Sequence, residues 1–191
     1  VLGLRRSAHA VTELMGLIDD PTPEVRRAAL LALANVTATA AVDVDATPLL
    51  RLSHDDSPIV RSAAATSLGI ILGDRAADVL STMCRDADYW VSHRAAESLC
   101  RLPSGARFGW DVLRGHDDSP DGRQAKAACL EWMERTGGLE SRIEDILQRE
   151  DDAELLVTLA VLEEVGSRAW GDLFSQAPAG AGIPTGEVVT A

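Results

Sequence analysis

Residues 54–68 read HDDSPIVRSAAATSL, and residues 116–130 read HDDSPDGRQAKAACL. The first five letters are identical, and the copies start 62 residues apart. Such identity in a chain of 191 residues points to duplication, so internal periodicity is tested first. Upstream, residues 19–33 read DDPTPEVRRAALLAL, and Val25-Arg26 falls on Val60-Arg61 at a shift of 35. A shift of 31 carries Val60 onto Val91, Ala64 onto Ala95 and Leu68 onto Leu99. A second shift of 31 reaches Gly122, Arg123 and Leu130, so the two pentapeptides stand two whole repeats apart. A fifth, weaker copy begins at EDDAELLVTLAVLEEVG, residues 150–166.

Each copy reads as a turn followed by a helix. Thr22 and Ser57 are expected to cap their helices by accepting from free backbone N–H groups. Pro23, Pro58 and Pro120 follow at the first helical position, where a missing N–H costs nothing. The preceding aspartates place negative charge at the positive helix end. Behind the cap, Val25, Ala29, Ala32, Leu33 and Val36 share one helical face. Small residues at 28, 29, 63, 64 and 95 let a second helix approach closely. Between these B helices lie shorter apolar-periodic A segments: SAHAVTELMGLI, TPLLRLSH, DRAADVLSTMCR, GWDVLRG and LESRIEDILQR. Gly73, Gly105 and Gly137-Gly138 mark the loops from B to the next A. TATAAVDVDA, residues 37–46, makes the first repeat irregular. A unit this short cannot bury its own apolar face, and stacking creates one continuous core.

The string DDPTPEVRRAALLALANV, residues 19–36, resembles the HEAT repeat, and within it the short bacterial HEAT-like class associated with phycobilisome lyases. That class typically reads D-x-[DS]-P-x-V-R-x-A-A-x-x-A-L, and DDSPIVRSAAATSLG follows it nearly letter for letter. The resemblance spans roughly residues 7 to 166. It implies an all-α, right-handed α-solenoid of about five helix pairs, with the B helices lining a concave face that binds a protein or peptide. Departures are Gly122 in place of valine, Lys126 on the small-residue stripe, and DADYWVSHRAAESL, which lacks the proline and the Val-Arg pair. The expected organisation is a repeat domain over 1–174 and a Pro/Gly/Ala-rich flexible tail over 175–191.

Net charge is −12, and aromatics make up 4% of the chain. A nucleic-acid surface needs clustered Lys and Arg, so this charge argues against nucleic acid and equally against anionic lipid. It permits a basic partner. Cys84, Cys100 and Cys129 form no CxxC pair, and the expectation is buried thiols in a reducing cytoplasm. Of 18 basic residues only Lys126 is lysine, which associates with a GC-rich bacterial genome. No apolar run is long enough to span a bilayer and no signal peptide is visible. The chain begins at Val1 in mid-pattern, and the expectation is a piece of a larger polypeptide or complex.

Three rows of the B helices point outward by count. The residues expected to meet a partner are Arg27, Leu31, Thr66, His93, Glu97, Gln124 and Trp132. Their mixed polarity suits a protein interface better than a phosphate track. Tyr89-Trp90 is a second candidate anchor, set against packing on the adjacent turn. The repeated Asp pairs are expected to cap helices and pair with Arg26, Arg61 and Arg123. His54 and His116, two repeats apart, are too distant to share a metal ion. No catalytic or cofactor motif is present, so a non-enzymatic interaction module is expected, with no cofactor. The alternative is a small-molecule lyase or tailoring enzyme on the same scaffold, its one visible handle a pairing of His93 with Cys100. An enclosed pocket beside those residues, in place of an open groove, separates the two.

Overall fold

The computed structural model describes residues 2–40 and 44–165. Helices α1 (Leu2–Leu17) and α2 (Pro23–Thr39) form the first pair. In the second, α3 (Ala46–Arg51) runs through a 3₁₀ turn at Leu52–His54 and leads to α4 (Pro58–Leu72). A 3₁₀ turn at Gly73–Ala76 opens the third pair, α5 (Ala77–Met83) and α6 (Tyr89–Cys100). The last pairs are α7 (Gly105–Leu113) with α8 (Pro120–Thr136), and α9 (Gly138–Gln148) with α10 (Asp152–Val165). There is no strand among the described residues. The end of the repeat domain at 174, the tail at 175–191 and Trp170 lie outside the described residues.

Even-numbered helices are the B helices, and the most extensive packing runs along them from α2 through α4 and α6 to α8. Each odd-numbered A helix packs on its own B helix. Every layer thus covers the apolar face of its neighbour, giving an all-α solenoid. Ala29, Ala64 and Ala95 form the small-residue row at the B–B contacts, and Leu33, Leu68 and Leu99 are fully buried one turn later. The first helix departs from the expected stripe. Val25, Ala32 and Val36 are only half-buried, while Leu30 and Ala34 join Ala29 and Leu33 inside. Among the described residues this pair packs against a following pair on one side only, and its buried arc is correspondingly narrower. The hydroxyl of Ser67 donates to the Leu30 carbonyl at 2.9 Å, so even the polar residue in this seam is satisfied across it.

The turns differ from expectation in one respect. The hydroxyls of Thr22 and Ser57 make no capping bond. The aspartate two positions earlier does the local work instead, because its carboxylate reaches the N–H that the turn leaves free. Asp20 accepts from Thr22 N at 2.8 Å, Asp55 from Ser57 N at 2.9 Å, Asp86 from Asp88 N at 2.9 Å and Asp117 from Ser119 N at 3.1 Å. Helix α6, which has no proline start, is capped by Asp88 through the N–H groups of Trp90 and Val91. Ser119 caps α8 through Gly122 N at 3.0 Å.

The arginine after the valine of the repeat binds two turns at once. Nη1 of Arg26 donates to the carbonyls of Asp20 and Pro21 in its own turn. Its Nε and Nη2 grip both carboxylate oxygens of Asp55 in the next turn, at 2.9 and 2.8 Å. Arg61 repeats this with the carbonyls of Asp55 and Asp56 and with the carboxylate of Asp86, at 2.7 and 2.9 Å. The expected pairing therefore crosses from repeat to repeat. Arg123 departs from it, bonding the Asp118 carbonyl of its own turn. Burial opposes ionisation of Asp55 and Asp86, but the guanidinium fork and the turn N–H outweigh it. Both carboxyls are held below the usual range. Forked, charge-assisted pairs of this kind fix geometry as well as charge.

Candidate interaction face

The seven residues expected on the inner face distribute over four B helices. Arg27 on α2 is exposed and Leu31 half-buried. Thr66 on α4 is half-buried. On α6, His93 is half-buried, but Glu97 is buried. On α8, Gln124 is half-buried, but Trp132 is buried. Gln124 Nε2 donates to the Asp86 carbonyl at 3.3 Å. The outward count is therefore wrong for the free accessibility of Glu97 and Trp132, and each has a physical cause.

Glu97 is drawn in by two arginines of its own helix. Arg94 Nη1 binds Glu97 Oε2, and Arg101 Nη1 binds Oε1 at 2.8 Å. A buried carboxylate is costly unless paired, and here both oxygens are engaged. Thr66, Gly69 and Ile70 of α4 face Arg94, Glu97 and Arg101 across a pocket of about 220 Å³. Ser98 closes its floor, and an added Cβ on Gly69 would stand 3.2 Å from the Ser98 Cβ. The close approach of α4 to α6 at this point therefore leaves little room for a larger residue than glycine.

Trp132 is covered by cations. The guanidinium carbons of Arg101 and Arg135 lie 5.0 and 4.2 Å from its ring centroid. Its indole Nε1 donates to His93 Nε2 at 3.3 Å. His93 stacks beneath Tyr89, centroids 5.7 Å apart and planes 18° apart. Tyr89 meets Trp90 edge-on at 5.4 Å. Tyr89 is 52% and Trp90 67% exposed, so the pair is not packed away against the adjacent turn. A continuous aromatic run thus leads from the open N-terminal end of α6 to the arginines beside the pocket.

The chemistry required of a thiol–imidazole pair is not assembled. Cys100 is buried, and its Sγ donates to the Cys129 carbonyl at 3.8 Å, while His93 Nε2 is taken by Trp132. The three cysteines sit together as free thiols in the core, with Cys129 Sγ 3.9 Å from Cys84 Sγ. Hydrogen bonding with Cys100 and Cys84, reinforced by burial, pushes the Cys129 thiol well above its ordinary value. That is the opposite of an activated nucleophile. His54 and His116 are exposed in their separate turns. No three His, Cys, Asp or Glu side chains converge to hold a metal among the described residues, and no described helix is long and apolar enough to cross a membrane.

Of the pocket residues, only Thr66 and Glu97 belong to the expected set, and Arg94, Arg101 and Ile70 are among those absent from it. Arg94 was legible as the one charge in a row otherwise filled by Ala28, Ala63 and Ala125. Ile70 lies in an outward row and is 49% exposed.

Comparison with known proteins agrees with this architecture. Residues 10–40 match the model of the HEAT repeat, and residues 44–100 match that of HEAT repeats. No curated protein matches the chain. HEAT repeats are thus found across the first three helix pairs of the stack.

Proposed function

We propose that this chain is a protein-interaction module that holds a protein or peptide segment along the face formed by α2, α4, α6 and α8. One observation carries the reading. In a chain with 4% aromatics, Tyr89 and Trp90 stand exposed at one end of a run of ring contacts that passes through His93 and Trp132 to Arg101, which lines the pocket with Arg94 and Glu97. Exposed aromatics beside arginine are the residue types that dominate binding energy at interfaces. The half-open groove suits an extended or helical segment better than an enclosed small molecule. The three free, buried thiols fit a reducing bacterial cytoplasm. The turn motif supports a place beside the short bacterial HEAT-like class.

The test is affinity capture with the full chain from its host, followed by alanine substitution at Tyr89, Trp90, Arg27, Leu31, Thr66 and Gln124. Anchors of this kind contribute about 2 kcal/mol or more, so Trp90→Ala is expected to weaken a captured partner about thirtyfold. A partner whose binding survives all six substitutions unchanged refutes the inner-face reading.

A further inference from the structure

The −12 net charge does not extend into the pocket between α4 and α6. Its α4 wall, Thr66, Gly69 and Ile70, carries no charge, and its α6 wall carries Arg94 and Arg101 against the single carboxylate of Glu97. Glu97 uses one oxygen for each arginine, which leaves each guanidinium with unused donors. Both arginines remain largely exposed at the pocket mouth. Each is tethered on one side. Glu97 pins them, and Arg101 also rests on the Trp132 ring. Two guanidinium groups held in place by a buried counter-charge form a preorganised receptor, because their ordering is completed before a ligand arrives.

We propose that this pocket is a subsite for one carboxylate side chain, a glutamate or aspartate of the bound segment, received by Arg94 and Arg101 with its apolar neighbour against Ile70. The proposal rests on the inner-face reading and names the chemistry that this face selects. The local balance is two positive charges to one negative, which matches a single carboxylate better than a phosphate dianion. The acidic turns that dominate the net charge act over a screened distance of about 8 Å at physiological salt, whereas the pocket acts in contact.

The experiment pans a random peptide display library against the immobilised full chain at near-physiological salt, then titrates a selected peptide calorimetrically. The expected consensus fixes a Glu or Asp next to an apolar residue. Changing that Glu to Gln in the peptide lowers affinity about ten- to a hundredfold, the range for a hydrogen bond to a charged group. Arg101→Gln gives a similar loss, and the two losses combined are far less than additive. The peptide substitution cannot disturb the fold of the chain, so it keeps the test valid if Arg101→Gln is poorly folded. A consensus without an acid, an unaffected Gln peptide, additive losses or tighter binding of a phosphoserine version overturns the carboxylate subsite while leaving the inner-face reading in place. A library from which no peptide is enriched overturns both.

Discussion

Asp55 and Asp117 hold the same place in the same five letters, yet the stack treats them differently. Asp55 is clamped by both prongs of Arg26, and its side chain is only 8% exposed. Asp117 meets Arg85 through one nitrogen at 3.3 Å, and its side chain is 36% exposed. The cause lies one repeat upstream. Arg26 and Arg61 each follow the valine of their repeat, but Ser92 stands in the corresponding place of α6, and its hydroxyl turns inward to the Cys84 carbonyl. No arginine of α6 therefore reaches the Asp117 turn from that position, and Arg85 covers it from the turn before α6. A repeat's own letters shape its turn, and its neighbour decides how tightly that turn is held, as expected where stability is a sum of units and interfaces.

The sharpest way to break this comparison is to remove both carboxylates separately. Asp55→Ala leaves the partly buried Arg26 without its partner and Ser57 N–H without its acceptor. It is expected to cost about 3 kcal/mol in urea unfolding at neutral pH. Asp117→Ala, on the exposed and loosely paired copy, is expected to shift the midpoint far less. Equal losses would show that the neighbouring repeat does not set the strength of the turn. The difference should also depend on pH. Asp55 is held below the usual carboxylate range, so its contribution is present above the unfolded-state value of about 3.9 and disappears as pH falls through the lower folded-state value. The gap between the wild-type chain and Asp55→Ala should narrow over that acid window, and a gap that widens there contradicts the assignment.

The stacked-pair fold was legible because its signals are local and recur: a proline start, a valine, a small-residue row and a leucine. The cross-repeat arginine fork was not. Sequence spacing says that Arg26 lies six residues from Asp20 and 29 from Asp55, and only packing brings it to both. The candidate face was legible in outline and misjudged in depth. Trp132 and Glu97 lie in outward rows, but a large indole folds over onto His93, and a carboxylate flanked by arginines on its own helix is drawn under them. A helical count assigns each side chain a direction and carries no information about its size or its ionic neighbours.

The second contrast between the turns concerns the residue five positions after the aspartate. It is Val60 in the first copy, fully buried, and Gly122 in the second. A Cβ at 122 would stand 2.4 Å from both the Asp117 Cγ and the Asp117 carbonyl oxygen. The turn has settled into the space that the valine occupies elsewhere. Gly122→Ala must push backbone aside, and a loss of about 1–3 kcal/mol is expected despite the higher helix propensity of alanine. A thermal melt in which Gly122→Ala is stabilised would show that the turn has room to retreat.

The smallest effect separates the two serines. Ser119 accepts from Gly122 N, while Ser57 makes no capping bond, although the same aspartate contact and proline start flank both serines. Ser119→Ala should therefore cost about 1 kcal/mol, the ordinary value of a lost N-cap, and Ser57→Ala close to nothing. Denaturant titrations of the two single variants resolve a difference of that size when their slopes agree. The reverse order would mean that the hydroxyl, and not the upstream carboxylate, starts helix α4.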